Sequence, residues 1–497
     1  MARRDVVVSG WGQVTQRKEQ TAGLRDPLGL MVEAARLAGD RAGSRDLLRG
    51  LDGVMVVQVM SASLDGAAMQ LAGRLGANPR FTRVSEIGGS SPQLLVNRAA
   101  GMIARGELDR VLVAGGEAYV PRGEHLRPPS LFQGLDGSDR DDMVGSSEVE
   151  RRHGVRLPLE GFPLLETALW AESGLPLDVY LAAVAERWSA FSRVAARHPN
   201  AWSRAARSAD EIVTPTAANR RVAFPYTKYM TSLLTVDLAA AVLLEPAGAR
   251  TAPGLGPVYV MAGACADERQ RSPIDRDSFT RSPALRAAAR RALDRAGLEI
   301  EQVEAFDLYS CFPCAVAIAM RELGLSADDP RELSLTGGLG FFGGPGNAYG
   351  LHSIATLAGS IAEGVHEVGL ATGLSWFMHK HAVGIYGDRP GRSDPSASDL
   401  EDERLGPVGG PPRPSVERVA DRDWGTVETY TVLHGRDGAP ERAIVYGTTS
   451  AGPRFVAVTP PRPEVFAELE SSCQVGRPVR LHRDAATDLN IADLVER

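Results

Sequence analysis

AARLAGDRAG at residues 34–43 and AARRALDRAG at residues 288–297 are one stretch written twice, identical at eight of ten positions. Each copy follows a proline, Pro27 or Pro283. Each leads into an apolar run, LDGVMVVQ from Leu51 and VEAFDLYS from Val303. A fainter match links GGSSPQLLVNRAAGMIARGELDRVLVAGG (88–116) to GGPGNAYGLHSIATLAGSIAEGVHEVGLATG (343–373). Duplication on this scale predicts two similar domains about a pseudo-twofold axis. A cleft between such halves is a natural place for a ligand.

Outward from the first copy, the chain alternates strand and helix. DVVVSG (5–10), VMVVQV (54–59) and RVLVAGG (110–116) read as strands. Residues 28–42 read as a helix with Leu28, Met31, Val32, Ala35 and Ala38 on one face and Gly43 as its stop. The alternation predicts an α/β fold with a mostly parallel or mixed sheet. Residues 120–225, rich in Pro, Trp and Arg, read as an insertion with a helical stretch near 176–196, and VDLAAAVLL (236–244) returns to the sheet. A second half runs from about residue 257 to 386. GDRPGRSDPSASDLEDERLGPVGGPPRPS (387–415) has the composition of an extended or mobile linker. Short strands and one helix near 463–471 follow, as in a small β-barrel of the OB type. The expected domains are 1–256 with an insertion at about 120–235, 257–386, a linker at 387–413, and a β domain at 414–497.

Composition excludes several classes. A net charge of −7, with Arg interspersed among Asp and Glu, speaks against a general nucleic-acid binder. The longest apolar runs, AAAVLL (239–244) and CAVAIAM (314–320), are too short to span a bilayer. No apolar signal-peptide core follows MARRDVVVSGWG. Four cysteines in 497 residues are too few for a disulfide framework, and a cytoplasmic setting is expected.

Six stretches carry a family resemblance: GWGQVTQ (10–16), GGSSPQLLVNRAA (88–100), NRRVAFPYTK (219–228), DLYSCFP (307–313), GGLGFFGGPGNAYGLHSIA (337–355) and HKHAVGIYGD (379–388). In this order the chain resembles the thiolase superfamily, and within it the sterol-carrier-type, thiolase-like branch with an appended C-terminal β domain. The resemblance implies a duplicated thiolase fold of two αβαβα halves, a loop insertion and an OB-like barrel. It implies coenzyme A thioesters as substrates, no tightly bound cofactor, and carbon–carbon bond chemistry next to the thioester. Acetyl-CoA acetyltransfer is the family's nominal activity, and a retro-aldol-type lyase is a companion reading. A non-catalytic acyl-CoA-binding or scaffold protein is the alternative from another class. A homodimer and a monomer both stay open.

The resemblance also implies site residues, with departures. The family's acyl-accepting Cys matches Gly88, the Asn or His of its tetrapeptide matches Tyr309 in YSCF, and its Gly-His-Pro loop matches Gly343-Gly344-Pro345. No Cys matches the family's late Cys near Gly373–Ser375. Cys311 stands where sterol-carrier-type thiolases place an acid/base Cys. Its place at a helix start is expected to favour a thiolate; a small buried hydrophobe is the plainer reading. Tyr309 is a candidate proton donor, and Tyr349 and His352 are cleft candidates, with His352 as general base. Gly88, Gly89, Ser90, Gly343 and Gly344 are expected to turn backbone N–H groups toward a thioester oxygen; tight turns explain glycines equally well. Lys380 and His381 are candidates for an anionic ligand, or lie at a solvated strand end. Cys314 completes a C-x-x-C, without a thioredoxin-like context. No His, Cys and carboxylate cluster has metal-ligand spacing.

Overall fold

The computed structural model describes residues 4–20, 22–120, 145–249, 252–270, 272–391 and 404–495. Residues 121–144 of the expected insertion and 392–403 of the expected linker lie outside them. The first half opens with β1 (Val6–Thr15), α1 (Pro27–Arg41), β2 (Gly53–Val56), α2 (Ala67–Leu75), β3 (Phe81–Val84), α3 (Ser91–Ala104) and β4 (Val111–Ala118). The insertion holds α4 (Glu148–Arg152), α5 (Pro158–Ser173), α6 (Leu177–Arg197), α7 (Ala209–Val213) and the hairpin β5 (Arg221–Ala223) and β6 (Tyr226–Thr227). It is helical rather than a loop over the described residues. Strand β7 (Asp237–Pro246) closes the half. The second half comprises β8 (Tyr259–Glu268), α8 (Pro283–Ala296), β9 (Ala305–Asp307), α9 (Pro313–Leu323), α10 (Tyr349–Ala362), β10 (Val368–Ser375) and β11 (Lys380–Gly387).

One mixed sheet runs β3-β2-β4-β7-β1-β8-β11-β10-β9. Its two halves meet at a single antiparallel pair, Val7 opposite Tyr259. About that seam the order is symmetric: β1 answers β8, β7 answers β11, β4 answers β10 and β2 answers β9. The two copies of the repeated stretch occupy matching places, α1 packed on β1 and β7, and α8 on β8 and β11. Both begin on a capped proline turn. Asp26 Oδ1 accepts from Gly29 N at 2.6 Å, and Ser282 Oγ accepts from Leu285 N at 3.3 Å. Their alanine-rich faces, Ala34, Ala35 and Ala38 or Ala288, Ala289 and Ala292, are fully covered. Small residues there let helix and sheet approach closely.

Helices α3 and α10 pack together between the halves, burying Leu95, Val96 and Ile103 against Leu351, Ile354 and Leu357. Each such side chain contributes about 1.5–3 kcal/mol. The symmetry also locates the insertion. In the second half, β10 and β11 are joined by the tight turn 376–379. In the first half, the matching strands β4 and β7 are joined by the whole insertion.

The C-terminal strands are β12 (Arg404–Val408), β13 (Asp423–His434), β14 (Pro440–Thr449), β15 (Arg454–Val458), β16 (Pro478–Asp484) and β17 (Leu489–Leu494), with α11 (Pro463–Ser471) before β16. The five from β13 onward close a barrel in the order β14-β15-β17-β16-β13, with β13 paired back to β14. Within the stretch expected as an extended or mobile linker, the described residues from 404 on include an extended strand that is held in place. Strand β12 pairs in parallel with β8, and the Arg413 guanidinium holds Glu428 at 2.9 Å.

The barrel is fastened to the rest of the chain by buried polar contacts. Leu433 of β13 pairs with Ala223 of β5. Thr429 Oγ1 donates to Leu164 O at 2.5 Å, and Tyr446 donates to Glu150 at 2.8 Å. Asn490 N donates to His153 Nε2 at 2.8 Å. The Arg454 guanidinium, wholly buried, pairs with Glu428 at 2.5 Å and donates to the carbonyls of Ile274 and Arg276. Desolvation of this kind is tolerable only with every polar group matched.

Candidate active site

A cavity of about 300 Å³ opens where the insertion meets the carboxyl ends of the sheet strands. Its walls are Met60, Ile87, Leu157, Pro158, Leu159, Phe162, Leu234, Phe312, Leu339, Leu374 and Trp376. Polar groups come from Gly88, Gly89, Tyr119, Thr231, Ser232, Tyr309, Cys311, Gly346 and Asn347. No side chain that is charged at neutral pH lines it among the described residues.

The end holding Tyr309 and Cys311 is built by two chain reversals, one from each half. After β3, the turn at Gly88–Gly89 leads into α3. Gly88 has φ +137°, in a region open to glycine alone among unstrained residues. A β-carbon there would collide with the Ser375 side chain. Ser375 Oγ lies 2.6 Å from Ser90 Oγ and accepts from Ser90 N at 3.1 Å. A hydroxyl from the end of β10 thus takes the space where a side chain at residue 88 would begin. A β-carbon at Gly89 would collide with the Tyr309 hydroxyl, so the phenol rests directly on this turn.

From the second half, the chain after β9 carries Tyr309 and Cys311 into the cavity before α9 starts at Pro313. Tyr309 N donates to Thr372 Oγ1 at 2.8 Å, and the Cys311 carbonyl accepts from Ser232 Oγ at 3.0 Å. Burial pushes the Tyr309 phenol up, so it stays protonated. The expectation of a favoured thiolate at Cys311 is overturned. Burial pushes the thiol up, and the N–H groups of Phe312 and Cys311 only partly offset it. Cys311 also precedes the helix by two residues and does not sit in its first turn. Both groups are therefore proton donors at neutral pH.

Other expected residues stand elsewhere. Tyr349 is buried behind Tyr309, donating to Asp307 at 2.9 Å, with its hydroxyl oxygen 2.6 Å from Thr336 Oγ1. Asp307 accepts from six donors in all, and this cluster ties the end of β9 to the start of α10. His352 does not line the cavity. It is wholly buried, its Nδ1 lies 2.9 Å from Gln13 Oε1, and burial brings its pKa down to about 3. It is a neutral tie between α10 and β1 rather than the expected base. Gly343 packs on Val236, Leu238 and Trp202, and Gly344 N donates to Leu233 O at 2.9 Å. Neither lines the cavity, and the next residues of that loop, Gly346 and Asn347, do.

Ser90, Lys380 and His381 line a separate slot of about 10 Å³ on the far side of Ser375. Lys380 Nζ is 4.0 Å from Glu86. His381 Nε2 is spent on Ser282 and Met378, and burial lowers its pKa to about 3. The slot has room for about one water, not for a cofactor. Cys314 is buried, donates to Phe162 O at 3.4 Å and stays a free thiol, as does Cys311. Among the described residues no group of three His, Cys, Asp or Glu could hold a metal ion.

Three residues that shape the site were not singled out in the sequence. Asn347 Oδ1 accepts from Gly88 N at 2.9 Å, and its Nδ2 donates to Gln58 O at 3.0 Å. The Gly88 N–H is therefore engaged by Asn347 and is not free for a thioester oxygen. Glu117, at the end of β4, accepts from Met60 N at 2.9 Å and Ser61 N at 2.8 Å. Phe162 stacks on Phe312, ring centroids 4.7 Å apart. Asn347 lies inside the quoted GGPGNAYG, but nothing in the spacing told that its amide bridges the halves.

The sequence model for the "thiolase-like protein type 1 additional C-terminal domain" matches residues 407–486. Among solved structures, a monomeric SCP2-thiolase like protein type 1 from Mycobacterium smegmatis superposes with TM-score 0.82 and 31% identity, covering 99% of both chains. The Ltp2-ChsH2(DUF35) aldolase gives TM-score 0.61 at 18% identity, over 78% of this chain and 99% of that one. Acetyl-CoA acetyltransferase from Syntrophomonas wolfei gives 0.57 at 16%, over 78% and 100%. No curated protein matches in sequence. The last two structures share the fold with this chain, and the first shares the whole architecture, barrel included.

Proposed function

The chain belongs to the SCP2-thiolase like proteins of type 1, and we propose that it acts on coenzyme A thioesters at the carbon next to the thioester, with no acyl group carried on residue 88. One observation carries this reading. Two protonated donors, Tyr309 and Cys311, share the end of an apolar cavity with a glycine turn whose side-chain space is filled by Ser375. A thioester carbonyl placed there meets hydrogen-bond donors as negative charge develops on its oxygen. Carbon–carbon cleavage of a retro-aldol type leaves an enolate, which needs such donors and a proton returned to carbon. In this reading Cys311 gives that proton to carbon and regains one from the substrate's β-hydroxyl as it becomes the carbonyl, so the thiol is restored without an acyl-enzyme stage. No cation lines the cavity among the described residues, so in this reading the phosphates of coenzyme A stay outside it. That an aldolase and an acetyltransferase share the fold supports carbon–carbon chemistry of this class.

A second reading, acyl-CoA binding without chemistry, is favoured by one feature. No carboxylate or imidazole lines the cavity among the described residues. The two readings separate in a single experiment. The full-length protein is incubated with a panel of CoA thioesters in D2O, and α-hydrogen exchange and products are followed by mass spectrometry. Loss of a general acid or base costs about 10²–10⁴ in rate. Cys311→Ala and Tyr309→Phe are expected to slow exchange or turnover by at least ~10² with binding nearly unchanged. Wild-type rates in both variants remove these residues from the chemistry. Tight binding without exchange or products, for every thioester, makes the chain a binding protein.

A further inference from the structure

Resting on the reading of a CoA thioester as ligand, we infer that the cavity selects an uncharged hydrocarbon acyl group of medium size, and that the first turn of α5 is the selecting wall. The cavity's volume of about 300 Å³ is about thirty times that of the 10 Å³ slot beyond Ser375. An acetyl group leaves most of that space unfilled. Leu157, Pro158, Leu159 and Phe162 form one continuous apolar face on the insertion side. Phe162 is fixed from behind by its stack on Phe312, which in turn stacks on Tyr226 at 5.6 Å. Among the described residues, a carboxylate ending the acyl chain would meet only hydrocarbon on that face and lose its hydration without a partner.

Polar side chains of the cavity sit elsewhere on its lining, on the chain around Tyr309 and Cys311 and at Asn347, Thr231 and Ser232. A ligand with one polar functional group and a hydrocarbon remainder therefore matches both parts. One methylene added or removed in an apolar pocket changes affinity about 10–200-fold. Hydrocarbon length is thus the property this wall reads most strongly.

The test is equilibrium binding of three probes to the full-length protein by titration calorimetry: acetyl-CoA, hexanoyl-CoA and glutaryl-CoA. Hexanoyl-CoA is expected to bind at least about tenfold more tightly than either of the others. Leu159, half-buried on the wall, provides the variant. Leu159→Lys is expected to weaken hexanoyl-CoA about tenfold and to strengthen glutaryl-CoA, whose carboxylate gains a partner. Equal binding of the three by wild-type protein, or a preference for glutaryl-CoA or acetyl-CoA, overturns the inference and leaves the thioester reading standing. Failure of all three, and of free coenzyme A, to bind overturns the reading on which it rests. The wild-type comparison decides the matter even if the variant does not fold.

Discussion

Gly88 and Ser375 divide one space between them, and that division governs what substitution can do. Gly88→Cys alone puts a β-carbon into the Ser375 side chain on a backbone at φ +137°. Such strain costs of order 1–3 kcal/mol before the clash is counted. The single variant is expected to unfold at a lower temperature in a thermal melt, and to trap no acyl group from acetyl-CoA by intact-protein mass spectrometry. Adding Ser375→Gly empties the space, and the melting temperature is expected to recover part of the loss. A single variant as stable as wild type would mean that the turn and Ser375 yield readily. Here the sequence was legible only in part. A glycine at residue 88 was visible, but its filled surroundings were not, because Ser375 arrives from 287 positions later in the chain. His352 shows the opposite failure. A histidine after a glycine loop reads as a base, whereas burial beside Gln13 leaves it neutral and away from the cavity.

Strand ends and the turns that follow them build the site. Glu117 closes β4 and clamps the backbone of Met60 and Ser61, one of which lines the cavity. Burial raises its pKa to about 7, against the opposing effect of its hydrogen bonds to Ser61 and Met60. A carboxyl raised in the folded state binds its proton more tightly there than in the unfolded chain. Its contribution to stability is then present in acid and lost as pH rises from about 4.5 through about 7. Over that window the Glu117 contribution should fall by up to about 1.4 kcal/mol per pH unit. Glu117→Gln is expected to remove this slope from denaturant-derived stabilities. Identical pH slopes for the two proteins would show that Glu117 does not titrate there. At this level the sequence was more telling. The helices expected near 176–196 and 463–471 are α6 and α11, and periodicity found them because each has one apolar face. Strand β12 was hidden by its composition. The Gly and Pro inside RLGPV disfavour a strand, and pairing with β8 supplies what the local residues do not.

The duplicated halves were readable because they repeat, and the barrel because its strands are short and separated by turns. How the barrel sits was not, since its fastenings pair residues hundreds of positions apart. Those fastenings set the effect of losing it. Deleting 414–497 removes the barrel's hydrogen bonds from Glu150, Leu164 and the 273–276 segment. Arg454 is the sharper probe. Arg454→Met leaves Glu428 to Arg413 and strands the carbonyls of Ile274 and Arg276, and a buried acceptor left without a partner costs about 1–3 kcal/mol. Urea unfolding followed by fluorescence is expected to show that loss in one transition covering core and barrel together. Two separate transitions, with only the barrel weakened, would mean that the modules fold independently.

Helix α5 shows one side to each module. Phe162 lines the cavity, while Trp170, two turns on, is buried among Phe224, Tyr430 and Val432 on the barrel side. The same helix is ceiling to one room and floor to the next. Drift in the barrel therefore reaches the cavity, because close-packed interiors transmit displacement rather than absorb it. A recombinant that exchanges barrels between relatives has to carry α5 along, and with it one wall of the donor's cavity.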